Sequence, residues 1–281
     1  MPAATPFSSP ATASSPPKVL VFDSGVGGLS VLDEIRRLTP WCQLVYASDN
    51  AAFPYGTKEE MQLVDRVDRV LRRLIEREQP DILVVACNTA STLALPHIRS
   101  HFERPVVGVV PAIKPAASLS KTGVIGLLAT PGTIARPYTQ QLIDDFAPDC
   151  EVIRIGSSRL VELAEQHLRG REIAADELQD IIAPLFHATA RGEADVVVLA
   201  CTHFPLIRGL LAGVAPRSVA WIDSGAAIAR RVASLLPADC DQGQRFFSWR
   251  CLFTAPDPSL DTLRAALARL ECAAVEVVVV P

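Results

Sequence analysis

Two cysteines carry the first chemical signal. Cys87 closes the apolar run of DILVVACNTAST (81–92) and Cys201 closes that of DVVVLACTHFPLI (195–207), so each thiol follows a β-rich segment and precedes an amide or hydroxyl residue. A single cysteine at the end of an apolar strand is ordinarily a small core side chain. Two in matching segments, 114 residues apart, point instead to a pair that meets one ligand from opposite sides. The chemistry needing such a pair is inversion at an amino-acid α-carbon: a thiolate removes the proton from one face while a thiol returns one to the other. An ordinary thiol, with a pKa of about 8.5, holds little thiolate at neutral pH. Each cysteine therefore requires a polar neighbour, and Asp23 and His203 are the candidates.

Further polar groups lie near these positions. The loop DSGVGGLS (23–30) follows an apolar run and opens a helical pattern, so its backbone N–H groups suit an anion such as a carboxylate. Its glycines lack the dinucleotide GxGxxG spacing, and a plain strand-to-helix turn would read the same way. Tyr55 and Gly56 in DNAAFPYGTK, Asn88 and Thr89 beside Cys87, and Thr202 and His203 beside Cys201 supply donors and acceptors for a zwitterion. His203 has no second compact Cys/His pair to complete a four-ligand set, so no metal is expected. Lys18, Lys58, Lys114 and Lys121 sit in no recognisable pyridoxal motif, which leaves direct acid–base chemistry without a cofactor. Cys42, Cys150, Cys240, Cys251 and Cys272 lack the flanking pattern and read as structural.

Strands must hold two such thiols in place. Short β-rich apolar runs recur at 19–22, 44–47, 82–86 and 106–110, then at 124–128, 152–155, 195–200 and 219–222; continuous apolarity marks buried parallel strands. Helical patterns lie between them, clearest at 58–78, where Met61, Val64, Val67, Leu71, Leu74 and Ile75 predict one apolar face. The alternation predicts an α/β fold of open parallel sheets with helices on both faces. Ligands bind beyond the C-terminal ends of such strands, where both cysteines fall. The later strands repeat the earlier ones at offsets of 105 to 114 residues, which predicts two pseudo-symmetric domains with the active site in the cleft between them. The boundaries are expected at 18–113 plus 225–281 for a discontinuous first domain and 114–224 for the second, with crossings near 110–115 and 224–225.

Composition bounds the class. Hydrophobic residues make up 49% and charged residues 21%, which describes a compact soluble protein. A net charge of −4 with no Lys/Arg block excludes a dedicated nucleic-acid or anionic-membrane surface. No apolar run approaches the roughly 20 residues of a membrane span. Residues 1–17 lack the basic start and apolar centre of a signal peptide and read as a flexible tail. Seven cysteines, an odd number without CxxC spacing, fit reduced thiols in a cytoplasm.

Taken in order, VFDSGVGGLSVL, ASDNAAFPYGTK, VVACNTAST, VVGVVPAIKPA, VLACTHFPLI and WIDSGAAIARR resemble the glutamate racemases of the aspartate/glutamate racemase superfamily, across residues 19–231. That resemblance implies cofactor-independent interconversion of L- and D-glutamate, supplying D-glutamate for peptidoglycan. It implies Cys87 and Cys201 as the acid/base pair, with Asp23 supporting the first and His203 the second. Substrate contacts carried over are Asp23, Ser24, Tyr55, Gly56, Asn88, Thr89, Thr202 and His203. Glu165, in LVELAE, matches a family glutamate near the second base, although Ser157-Ser158 stands where many relatives carry Cys-Pro. The Pro/Ser-rich extension and GSSRLVELAEQHLRG are similar to the enterobacterial subgroup, which implies UDP-N-acetylmuramoyl-L-alanine as an activator and, for some members, inhibition of DNA gyrase. The family often forms homodimers. Two alternatives stand beside this reading: a racemase for aspartate, which differs by one methylene, and a non-catalytic carboxylate-binding protein.

Overall fold

Among the residues described by the computed structural model (15–237, 245–246 and 248–280), ten strands pair entirely in parallel. Cys240 and residues 1–14 of the expected tail lie outside the described residues. One sheet contains β1 (Lys18–Asp23), β2 (Gln43–Ser48), β3 (Ile82–Val85), β4 (Val106–Gly108), β9 (Trp249–Phe253) and β10 (Cys272–Val277), in the order β10-β9-β2-β1-β3-β4. The other contains β5 (Val124–Ala129), β6 (Glu151–Gly156), β7 (Val196–Ala200) and β8 (Ala220–Ile222), in the order β6-β5-β7-β8. The windings β2-β1-β3-β4 and β6-β5-β7-β8 are the same, so the repeat read in the sequence is a repeat of topology. β9 extends the first sheet by pairing onto β2, with Val45 opposite Arg250, and β10 pairs onto β9.

Helices cover both faces of the first sheet. Successive strand residues point to opposite sides, so Val19 and Val21 of β1 pack with α1 (Leu29–Leu38) and the helix Gly225–Leu235, through Leu32, Ile35, Ile228 and Val232. Leu20 and Phe22 pack on the other side with α2 (Glu60–Glu78) and α3 (Asn88–His101), through Leu63, Leu71, Ala94 and Ile98. Each large apolar side chain buried in these layers stabilises the fold by about 1.5–3 kcal/mol. The apolar face expected for α2 is partly corrected. Met61 is 78% exposed, while Leu63, Val67, Val70, Leu71 and Leu74 are buried. At about 100° per residue, Met61 lies some 200° from Leu63 and so faces away from the sheet.

The chain passes between the sheets after β4 and returns after β8. At these crossings the Ser224 hydroxyl donates to the Val110 carbonyl at 2.5 Å, so the two passing segments are bonded to each other.

Candidate active site

Both thiols stand at the C-terminal ends of buried strands. β3 is buried at every position, and Cys87 follows it by two residues as the N-cap of α3. Ser91 fixes that turn: its hydroxyl donates to the Val85 carbonyl at 2.8 Å and accepts from the Val109 amide at 3.1 Å. Cys201 follows β7 directly and leads through Thr202 and His203 into the short 3-10 turn Phe204–Ile207. The two cysteines line one cavity of about 20 Å3, together with Ser24, Tyr55, Gly56, Asn88, Thr89, Thr202 and His203. All the expected substrate contacts are thus brought together except Asp23, which is fully buried and absent from the cavity lining. Phe53 and Thr130 also line it, neither of them singled out from the sequence. Among the described residues, the Asn88 side-chain oxygen is buried without a hydrogen-bond partner.

The first thiol has a hydroxyl neighbour. Cys87 Sγ lies 3.7 Å from Ser24 Oγ, which in turn donates to Asp23 Oδ1 at 3.3 Å. Asp23 also accepts from the Gly25 amide at 3.0 Å and from the Thr202 hydroxyl at 2.9 Å, so one carboxylate ties β1 to the segment carrying the second thiol. Burial pushes the Cys87 thiol well above its usual range and the Asp23 charge adds to this, against the Ala90 amide at the start of α3 and the Ser24 hydroxyl. Burial likewise raises Asp23, against the pull of His203 and its own hydrogen bonds.

A longer chain of groups backs the second thiol. Cys201 Sγ lies 3.7 Å from His203 Nδ1, and His203 Nε2 lies 2.8 Å from Glu165 Oε1. Burial alone would raise Glu165, but the hydrogen bond and charge of His203, the Arg169 guanidinium and the Val26 amide bring it down to about 2. Burial opposes charge on His203, yet its contacts with Cys201 and Glu165 prevail and push it well above the usual imidazole range. These contacts favour the protonated ring, whose Nδ1 faces the sulfur and whose Nε2 faces the carboxylate. Glu165 does not line the cavity and meets it through His203.

Part of the glycine loop is taken up by the protein itself. Its Gly25 and Val26 amides are already engaged by protein carboxylates, those of Asp23 and Glu165, the latter at 2.9 Å. The glycines matter because they admit side chains from the other sheet: a Cβ on Gly27 would overlap His203 Nδ1 and stand 2.6 Å from Thr202 Oγ1. We expect a Gly27→Ala variant to lose most of its turnover and about 1–3 kcal/mol of stability, the usual cost of overpacking, as read by rate assays and chemical denaturation. Wild-type turnover with alanine at 27 would rule out this placement of His203. Other bonds also join the halves: the Ser30 hydroxyl donates to the Thr202 carbonyl at 2.9 Å, the Thr89 and Thr130 hydroxyls are 3.2 Å apart, and Arg136 pairs with Glu60.

Sequence reasoning missed Arg169, Asp257 and Ser259, which stand behind Glu165. The spacing of Arg169 four residues after Glu165, one helical turn, was the available signal. Among the described residues, no group of three or more His, Cys, Asp or Glu side chains could hold a metal ion, and no helix is long and apolar enough to cross a membrane.

Comparison with known proteins gives the family. A profile of the Asp/Glu/hydantoin racemase family matches residues 27–232. The glutamate racemase of Pectobacterium atrosepticum is 52% identical over 227 residues, 81% of this chain and 79% of its own length. That of Salmonella typhimurium is 54% identical over 227 residues, 80% of each chain. Among solved structures, the Escherichia coli glutamate racemase, in complex with L-glutamate and the activator UDP-MurNAc-Ala, superposes with a TM-score of 0.88 at 47% identity, covering 95% of this chain and 99% of that one. The Thermus thermophilus glutamate racemase, in complex with β-chloro-D-alanine, gives 0.72 at 30% identity, covering 95% and 98%. Two like-wound parallel sheets with helices thus belong to a known class of fold, and the chain is a member of the Asp/Glu/hydantoin racemase family. It is an enzyme of the isomerase kind, an amino-acid racemase.

Proposed function

We propose that the chain is a cofactor-independent glutamate racemase in which Cys87 and Cys201 exchange protons with opposite faces of the α-carbon. The observation that carries this reading is the single cavity lined by both thiols, each at an equivalent strand end and each backed by its own polar partners. One thiolate takes the α-proton, breaking the C–H bond and forming S–H; the opposite thiol then protonates the carbanion, and the two sulfurs end with their protonation states exchanged. On the Cys201 side, His203 holds the proton that passes to or from the sulfur, and Glu165 holds His203. On the Cys87 side, Ser24 touches the sulfur and Asp23 acts through Ser24. The free Asn88 oxygen suits an ammonium group, while Thr89, Thr202 and the Tyr55-Gly56 segment suit carboxylates.

A cavity of about 20 Å3 holds about one water molecule, so the sheets part to admit substrate and close to exclude water during proton transfer. We assign the domains to 18–113 with 225–281, and to 114–224. The helix Gly225–Leu235 supports this by packing Ile228 and Val232 into the core of the first sheet. The product serves peptidoglycan synthesis in the cytoplasm. UDP-N-acetylmuramoyl-L-alanine activates the enzyme at a cavity of about 500 Å3 beside the crossings, where Lys114, Arg230 and Arg231 suit its phosphates.

Purified protein incubated with L-glutamate in D2O, without pyridoxal phosphate or metal, is expected to lose optical rotation while deuterium enters the α-position. No change with glutamate, with or without the nucleotide, alongside turnover of aspartate would transfer the reading to an aspartate racemase. Inertness toward both would overturn it.

A further inference from the structure

Arg169 follows the helix Arg159–Leu168, one turn past Glu165, and every nitrogen of its guanidinium is engaged. Nη1 pairs with Glu165 Oε2 and donates to the Glu165 carbonyl at 3.0 Å. Nη2 donates to Asp257 Oδ2 at 3.1 Å, and Nε donates to Ser259 Oγ at 2.7 Å. Asp257 is itself held, its Oδ1 accepting from the Ser259 amide at 2.8 Å and the Ser259 hydroxyl at 2.7 Å. Glu165 divides its carboxylate: Oε2 meets Arg169, while Oε1 meets His203 and accepts from the Val26 amide.

These contacts cross the cleft. The helix carrying Glu165 packs Leu160 and Leu163 into the core of the second sheet, whereas Val26 follows β1 and Asp257 and Ser259 follow β9, both strands of the first. Cys87 differs in that its direct neighbours, Ser24 and α3, belong with its own sheet, and only Asp23 behind Ser24 reaches across, to Thr202.

We propose that Arg169 is a positioning residue that readies Cys201 when the cleft closes. With the sheets together, Asp257 and Ser259 hold the guanidinium, the guanidinium and the Val26 amide hold Glu165, and Glu165 holds His203 toward the sulfur. When the sheets part, Arg169 and Glu165 both lose their partners on the first sheet, and the Cys201 side loses its alignment until substrate is enclosed. The inference rests on the two-thiol reaction proposed above.

Because the enantiomers are equal in energy, kcat/KM is the same in both directions for every variant, so a one-sided defect must be read from isotope effects. The test uses the full chain with L- and D-glutamate deuterated at the α-carbon, comparing wild type with Arg169→Ala, Arg169→Lys and Asp257→Asn. The enantiomer served by Cys201 is identified with Cys87→Ala, which exchanges the α-proton of that enantiomer alone. Arg169→Ala is expected to lower kcat/KM by tenfold or more. Its isotope effect on kcat/KM rises for the enantiomer deprotonated by Cys201 and falls toward unity for the other, because the Cys201 transition state becomes limiting. Arg169→Lys keeps the charge without the fork and recovers part of the rate; Asp257→Asn shows the same asymmetry in smaller degree. Isotope effects unchanged, or altered equally for both enantiomers, in a folded Arg169→Lys or Asp257→Asn enzyme with reduced rate would overturn the proposal. Failure of the wild type to racemise glutamate would instead overturn the reading beneath it.

Discussion

Serine in place of either Cys87 or Cys201 is expected to lower racemisation on the order of 10^2- to 10^4-fold, the range that a positioned acid or base contributes. The substitution preserves shape in two buried positions, so the loss reflects proton affinity and not packing. A serine hydroxyl is far less acidic than a thiol and supplies almost no anion at neutral pH. Inversion needs both faces, so each single variant suffers nearly the full loss, and the double variant falls little further because the two groups act as one unit. Exchange of the α-proton with solvent, without inversion, survives for the enantiomer that the remaining cysteine serves. Turnover and α-proton exchange, measured separately, check both statements. A binding protein without catalysis would keep its ligand affinity and show no rate to lose; full turnover in both single variants would end the two-thiol mechanism.

The second large effect lies behind Cys201. His203→Asn is expected to reduce turnover by about 10^2-fold, at the low end of what a proton-relaying group contributes, and Glu165→Gln by less, since an amide can still meet the ring. Glu165→Gln also has a signature in stability. The fall of the Glu165 pKa from an ordinary 4.5 to about 2 corresponds to about 3 kcal/mol, shared by the Glu165–His203 pair and not owned by either member. A carboxylate depressed in the folded state contributes stability above about pH 4.5 and loses it as pH falls through about 2. The raised His203 contributes in the opposite sense: its share is complete below its ordinary 6.5 and disappears as pH rises through its elevated folded value. The gap in unfolding free energy between wild type and Glu165→Gln should therefore be widest near pH 5 to 6 and shrink steadily toward pH 2. Denaturation curves across that series test it, and a gap undiminished at pH 3 and below would show that the pair is not ionised as described.

The core strands were legible because burial on both faces leaves an unbroken apolar run, as in β1 and β3. The thiols were legible through repetition, since one Ala-Cys strand end is ordinary and two are not. Periodicity placed α2 but misjudged Met61, because a helical pattern fixes the spacing of a stripe better than its margin. For the glycine loop the sequence leaves an anion cradle and a plain strand-to-helix turn equally open, and only the structure reveals that Asp23 and Glu165 engage its Gly25 and Val26 amides. Asp257 and Ser259 could not be found from sequence: they reach Arg169 across 88 and 90 residues of chain, and nothing local in APDPS announces a partner on another sheet.

The bond from Ser224 to Val110 bears on stereochemical fidelity. A domain tethered by one strand can swivel as well as swing, and a swivelled partner would bring its thiol back onto the wrong side of the α-carbon. Two segments passing side by side and tied to each other would act in the proposed closure as an axle, leaving one rotation free and suppressing the others. Under the two-thiol mechanism proposed above, each closing stroke would then return the two sulfurs to opposite sides of the substrate, and handedness would be guarded at the crossings.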